Sequence, residues 1–353
     1  MQRKYFLPIF LLIQILILKI MPFFPEFVER FYSNGLYVFI SKFSRIILGK
    51  IPFSIGDILY GILIFYILKS IWKARKTWRS QWKNAVLKTL SYLSVAYFLF
   101  HLLWAMNYYR QPLFEKMKIE RDYSDADLLT FTKKLIAKTN EIQSQITKND
   151  SLKVVFPYSQ EQVFEMNLGG YKTLSKQYSF FEYSHLSIKK SLFSLPLTYM
   201  GFGGYLNPFT NEAQINYLMP MYNLPTTSCH EMAHQMGFAS ESECNFIGFL
   251  ASVKNKDLYF KYSGYSTALR YCLGNWQIRD EKVLDELLKT VHPGILKNYS
   301  ESEDFWKQYQ TPIETGFHVF YDNFLKSNNQ KEGIESYNKF VNLMVNYYTV
   351  RTL

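Results

Sequence analysis

The sequence has 353 residues, 48% of them hydrophobic and 20% charged, a balance that excludes wholesale disorder and supplies apolar mass for one or two packed domains. The formal net charge is +11, but the excess is local: residues 1–110 hold 15 Lys/Arg against 3 Asp/Glu, and the rest of the chain holds 25 against 26. Basic charge confined to the most apolar third points to a membrane protein with positive cytoplasmic loops and away from a nucleic-acid binder. The three cysteines form no C-x-x-C pair and no disulfide framework.

The first apolar run, about Tyr5 to Phe24, follows the basic start Arg3-Lys4. No small-residue cleavage site follows it, so an uncleaved membrane helix is expected, with Lys19 snorkelling to the interface. The second run spans about Ile55 to Trp72 and the third about Val86 to Met106, each close to the ~20 residues that cross the hydrocarbon. Five of the eleven residues in the intervening loop, 73–83, are basic and none is acidic. That loop and the amino terminus are therefore expected in the cytoplasm, and everything after about Asn107 outside it. Residues 25–54 mix Phe27, Phe31, Val38 and Ile47 with Glu29, Arg30, Lys42 and Arg45, the composition of an amphipathic segment at the outer interface. The expected division is a membrane domain over 1–107 and an extracytoplasmic domain over 108–353, with the lipid bilayer as partner and no nucleic acid.

In the second part, Ser124 and Asp127 have capping-box spacing, and Leu128, Leu135, Ile136, Ile142 and Ile146 recur at helical spacing, which predicts a helix to about Thr147. Gly201, Gly203, Gly204, Asn207 and Pro208 mark turns, and Ala213 to Tyr217 alternates like a short half-buried strand. From Pro225 the chain reads helical, with breaks near Gly237, Gly264, Pro293-Gly294, Pro312 and Gly333. The fold class is thus an α-helical anchor of three transmembrane helices followed by a mainly α (α+β) domain with a small sheet.

Thr227 to Phe238 contains H-E-x-x-H. Histidines four apart share one helix face, so His230 and His234 can reach one Zn²⁺, with Glu231 beside them as general base for a water that the metal acidifies. The bland alternative is a helix start, with Ser228 and Glu231 as capping box and the histidines as surface residues. A catalytic site needs a third protein ligand. Ser240 suits an N-cap, and on the helix that follows, Glu241, Cys244, Asn245, Gly248 and Ser252 share a face of mostly small residues able to pack against the first helix. On that face argument Glu241 is the preferred ligand and Glu243 the alternative; the bland reading of either is an acid in the first turn of a helix, where acids are favoured.

The order of H-E-x-x-H helix, turn and Glu-bearing helix resembles the gluzincin branch of zinc metallopeptidases. That resemblance implies a second-shell support for a ligand histidine four residues after the ligand Glu, where this chain has Asn245; the spacing from His234 to Glu241 is shorter than is usual there. A wider resemblance rests on Trp104 to Arg110, Asn207 to Gln214, the H-E-M-A-H-Q-x-G-F segment and Glu241 to Phe246. These look like a bacterial membrane family catalogued as domain of unknown function 3810, and imply a zincin-like domain outside the inner (cytoplasmic) membrane without naming a substrate. The expected activity is peptide-bond hydrolysis of a peptide or protein substrate. The rivals are a non-catalytic membrane scaffold with a degenerate or structural metal site, and a zinc hydrolase of non-peptide amides such as cell-wall material. Ala213 to Tyr217 has the pattern of either an edge strand for an extended peptide or plain sheet. Tyr265, Tyr321 and Tyr337 are candidate oxyanion donors, His292 and His318 spare ligands, and Cys229 and Cys244 buried thiols near the site.

Overall fold

The computed structural model describes residues 3–330 and 337–353; the side chains at 3, 78, 79, 337 and 338, including the candidate Tyr337, and the break expected at Gly333 lie outside the described residues. The described chain is mostly helical, with one three-stranded sheet. In chain order the elements used below are α1 (Phe6–Ile20), α2 (Tyr37–Leu48), α3 (Ile55–Ala74), α4 (Trp78–Leu103), α5 (Asp125–Thr147), α6 (Gln160–Leu174), β1 (Ile188–Lys190), β2 (Gly204–Leu206), β3 (Ala213–Ile215), α7 (Leu224–Gln235), α8 (Glu241–Val253), α9 (Leu258–Arg279), α10 (Pro293–Lys307), α11 (Pro312–Ser327) and α12 (Tyr337–Thr349).

Three helical stretches are long and apolar enough to cross a membrane: Phe6–Phe23, Ile55–Ala74 and Ser80–Leu103. Their apolar side chains, among them Leu12, Leu16, Leu68 and Leu93, face outward, a surface that water does not favour. Where α1 packs along α4, Gln14 donates to the Ser94 carbonyl and hydroxyl at 3.3 and 3.1 Å, so a buried amide between two apolar helices is satisfied.

The segment between α1 and α3 is inverted relative to a soluble helix. A π-helical stretch, Val28–Leu36, leads into α2. Along it Glu29, Ser33, Ser41 and Arg45 are buried, while Phe27, Phe31, Phe39, Phe43, Ile46 and Ile47 are exposed. The polar face thus meets protein, and the apolar face is left for an apolar surrounding. Glu29 is the anchor: it accepts from Arg110 Nε at 2.9 Å and Nη2 at 2.8 Å and from Lys116. Burial works to raise the Glu29 carboxyl, but the hydrogen bond and charge of Arg110, then Lys116, hold it down to about 2 from an ordinary 4.5. A depressed carboxyl contributes stability above pH ~4.5 that is lost as the pH falls towards ~2. Glu29→Gln leaves the buried Arg110 and the half-buried Lys116 short of a partner and is expected to cost about 3–5 kcal/mol in denaturant unfolding at pH 7. The cost should shrink as the pH falls below 4; an equal cost at pH 7 and pH 3 would contradict the ionic account.

Ser124 and Asp127 form both bonds of a capping box at the start of α5, which ends at Thr147 as its periodicity predicts. Two expectations are corrected. Gly264 does not interrupt α9; it lets α9 approach α8, where a Cβ would stand 2.8 Å from Val253 Cγ1. The strand β3 is fully buried and central, not half-buried and not an edge. The sheet order is β1-β3-β2, with β1 parallel and β2 antiparallel to β3, so both hydrogen-bonding edges of β3 are taken.

The loop after β2 binds the start of α3. Glu212 accepts from the Ile55 and Gly56 amides at 3.2 and 2.6 Å, placing an anion on the unpaired N–H groups of a helix N-terminus. Gly56 is required there because a Cβ would lie 2.4 Å from Asn207 Nδ2. Asp57 accepts from the Leu192 amide at 2.7 Å, the Ser191 hydroxyl at 3.0 Å and the Tyr205 hydroxyl. The second apolar helix is therefore bonded directly to the sheet.

Candidate metal centre

Helix α7 starts at Leu224 with Pro225 in its first turn, so Ser228 sits inside it and bonds back to the Leu224 carbonyl at 2.7 Å. That excludes the capping-box reading of Ser228 and Glu231. The helix closes at Gly237, whose φ of +86° is left-handed; a Cβ there would also meet Asn107 Oδ1 at 2.8 Å. Helix α8 starts at Glu241 with Ser240 at the N-cap, although the Ser240 side chain makes no capping bond and instead lies 3.0 Å from the Ser242 hydroxyl. The two helices approach so closely that a Cβ on Gly248 would stand 2.9 Å from the His230 amide nitrogen.

This approach brings His230, His234 and Glu241 together. His230 Nε2 lies 3.1 Å from His234 Nε2, and Glu241 Oε2 lies 3.2 Å from the first and 3.6 Å from the second. Ligand bonds of about 2.0–2.2 Å set the edges of a tetrahedral zinc site near ~3.3–3.5 Å, so these atoms already stand as three corners of such a site. The proton positions fit too. His230 Nδ1 is 2.8 Å from Asn245 Oδ1 and His234 Nδ1 is 2.8 Å from the Phe238 carbonyl. An amide or backbone carbonyl oxygen only accepts, so each ring donates through Nδ1 and turns an Nε2 lone pair inward. Glu241 Oε1 accepts from the Tyr321 hydroxyl of α11 at 2.8 Å, which fixes the carboxylate from the far side. Burial works to raise the Glu241 carboxyl, yet the two histidines hold it well below the usual carboxylate range.

Glu231 is buried on the pocket side of α7, and its Oε2 has no hydrogen-bond partner among the described residues. Burial pushes its carboxyl up against the pull of the two histidines. It fits only because β2 carries Gly204 opposite: a Cβ there would lie 2.9 Å from Glu231 Oε1. Glu243, the alternative ligand, points away and accepts from the Leu113 amide at 2.6 Å.

The weaker candidates separate cleanly. Tyr321 reaches the site but through Glu241. Tyr265 packs on Phe249 within the core. His292 pairs with Gln143 at 2.9 Å, away from the cluster. His318 stacks on Phe202 and lies 3.9 Å from Glu314, not among the three converging groups. Cys229 and Cys244 are buried, and burial pushes their thiols up to about 12 and about 11. Cys244 lies 3.3 Å from His234 Nδ1, on the opposite side of the ring from His230 and Glu241.

Residues to which the sequence assigned no role at the site hold the end of α7. Trp104 Nε1 donates to the His234 carbonyl at 3.1 Å, Tyr37 and Ser41 to the Gln235 carbonyl at 3.0 and 2.8 Å, and Arg110 to the Gly237 carbonyl at 2.8 Å. A buried helix C-terminus leaves carbonyls that need donors, which is the one signal available beforehand.

The fold and the site together define a helical protein with three apolar, membrane-length helices among the described residues and a partly buried cluster of two histidines and a glutamate. The chain belongs to the family described as Protein of unknown function (DUF3810), whose model matches residues 32–345. No curated protein and no solved structure matches it.

Proposed function

We propose that the chain is a zinc-dependent peptidase of zincin (gluzincin) type, anchored in a bacterial cytoplasmic membrane with its catalytic domain on the outer side. The observation that carries this reading is the convergence of His230 Nε2, His234 Nε2 and Glu241 Oε2 at tetrahedral-edge spacing, beside an unpaired oxygen of Glu231. Zinc held there supplies Lewis acidity, which polarises a carbonyl and lowers the pKa of a water next to it. Glu231 Oε2 is placed to accept a proton from an attacking water and to hand it to the amine that would leave as the C–N bond breaks. Asn245 and the Phe238 carbonyl hold the rings in the required tautomer, and Tyr321 holds Glu241.

Of the two readings of Ala213 to Tyr217, the central place of β3 leaves plain sheet, and the strand available for substrate pairing is β2. In an antiparallel pair, alternate residues turn their N–H and C=O away from the partner strand. Gly203 and Asn207 bond to β3-side residues, so Gly204 and Leu206 turn theirs to the open edge, and both line the cavity. An extended peptide can add there as a further strand. The test is hydrolysis by the purified full chain of quenched peptide libraries, set beside peptidoglycan fragments, with and without zinc. Turnover of the fragments alone would replace the peptidase by a cell-wall amidase on the same site.

The orientation is supported by the basic residues at the start and in 73–83. A carboxy-terminal fusion to a reporter active only outside the cytoplasm is expected to work. A fusion active only as a cytoplasmic reporter would overturn the arrangement.

A further inference from the structure

We propose that the substrate is a peptide carrying an apolar tail that stays in the outer leaflet of the bilayer, the tail entering the site sideways along α3 and α4. The inference rests on the peptidase reading and names its substrate class. The cavity at His230 and Glu231 has a volume of about 1610 Å³. Small-molecule sites are typically ~300–1,000 Å³, so this one takes several residues of chain rather than a metabolite.

Part of the wall is not contributed by the catalytic domain. Tyr60, Leu63 and Ile64 of α3 and Phe100 of α4 line the cavity, and all four lie in the membrane-length apolar stretches. Ile64 follows the first residue of α3 by nine positions, about 13 Å along the axis at ~1.5 Å per residue. Counted from Asp57, the last residue of α3 bonded to the sheet region, the distance is about 10 Å, a third of a ~30 Å hydrocarbon core. Leu63 and Ile64 are 53% and 51% exposed, so the cavity is bounded there by surface that a bilayer would cover.

The route from this apolar wall to the reacting atoms is built in. Tyr60 stacks on Tyr205 of β2 at 6.3 Å and meets Phe209 edge-on at 6.3 Å. Glu212 and Asp57 tie the start of α3 to the same sheet region. A peptide paired on the open edge of β2 thus lies beside the residues of α3 that continue into the membrane-length helix. The domain side of the cavity is polar in places, with Arg270, Asn223 and Asn275. A chain with a polar stretch and an apolar tail matches both walls. A tail already in the bilayer also raises the local concentration of the scissile stretch at the cavity mouth.

The test uses the full chain in phosphatidylethanolamine–phosphatidylglycerol nanodiscs and three probes sharing one quenched peptide sequence. One probe is untailed, one is palmitoylated, and one is preceded by an apolar segment of about 10 residues, half of the ~20 that span a membrane. Both tailed probes are expected to show kcat/KM at least tenfold above the untailed one, and Leu63→Gln with Ile64→Gln should reduce that preference severalfold. A preference for one tail alone upholds the proposal and tells an acylated substrate from an apolar polypeptide. A second readout needs no turnover: a benzophenone side chain in place of Leu63, in the Glu231→Gln background, should crosslink to a tailed probe and be blocked by excess tailed peptide. Equal cleavage of all three probes without crosslinking at 63 overturns the proposal and leaves the peptidase standing. Crosslinking without cleavage of any probe by the unmodified chain retains the tail site and removes the peptidase.

Discussion

Glu231→Gln is expected to lower peptide hydrolysis by ~10²–10⁴-fold, the usual contribution of a general base, while zinc content stays at one ion per chain. The two readouts separate because Glu231 is not among the three converging groups. Its Oε2 has no partner to lose, so the amide, which has the same shape, disturbs no hydrogen bond. The amide keeps the polarity of the site but cannot accept the proton. Unchanged unfolding stability and unchanged zinc, together with the rate loss, are the pattern to look for in parallel metal analysis and single-turnover assays. Full activity in this variant would remove the peptidase mechanism outright.

Zinc affinity itself should rank the surrounding side chains. His230→Ala or His234→Ala leaves at most two protein ligands, and tight binding is expected to disappear. Glu241→Gln substitutes a neutral amide for the carboxylate and should weaken binding by more than the ~10–100-fold typical of a partner behind a ligand. Asn245→Ala belongs to that latter range, since Asn245 acts on the metal only through the His230 ring, at 2.8 Å. Glu243→Gln should leave the metal in place, because its carboxylate is engaged with the Leu113 amide 2.6 Å away. Competition with a chromophoric chelator gives the affinities. Loss of zinc in Glu243→Gln alone would mean that α8 is turned relative to α7 from the arrangement described here.

The same comparison explains which parts of the molecule local pattern could reveal. That Glu241, Cys244, Asn245 and Gly248 turn one face of α8 to α7 followed from the helical period alone. The capping box at Ser124 and the three apolar runs were legible for the same reason: the responsible residues lie within a turn or a span of one another. Gly264 misled because a glycine reads alike as a breaker and as a close-packing contact. The alternation in Ala213 to Tyr217 revealed a strand but not its neighbours, and neighbours decide whether a strand is an edge.

By itself, then, the sequence determined the three apolar helices, the H-E-x-x-H helix and the helix face that meets it, because each depends on residues repeating within a single element. Only the tertiary structure decided which strand keeps a free edge, that α2 turns its polar side to the protein, and that Tyr37, Trp104 and Arg110 cap the helix bearing the histidines. Tyr37 is 198 residues from the carbonyl it serves, and Trp104 is 130 residues from its own. Any buried tyrosine, tryptophan or arginine can satisfy an orphan carbonyl, so the pairing is set by how the elements pack and leaves no mark in the local pattern.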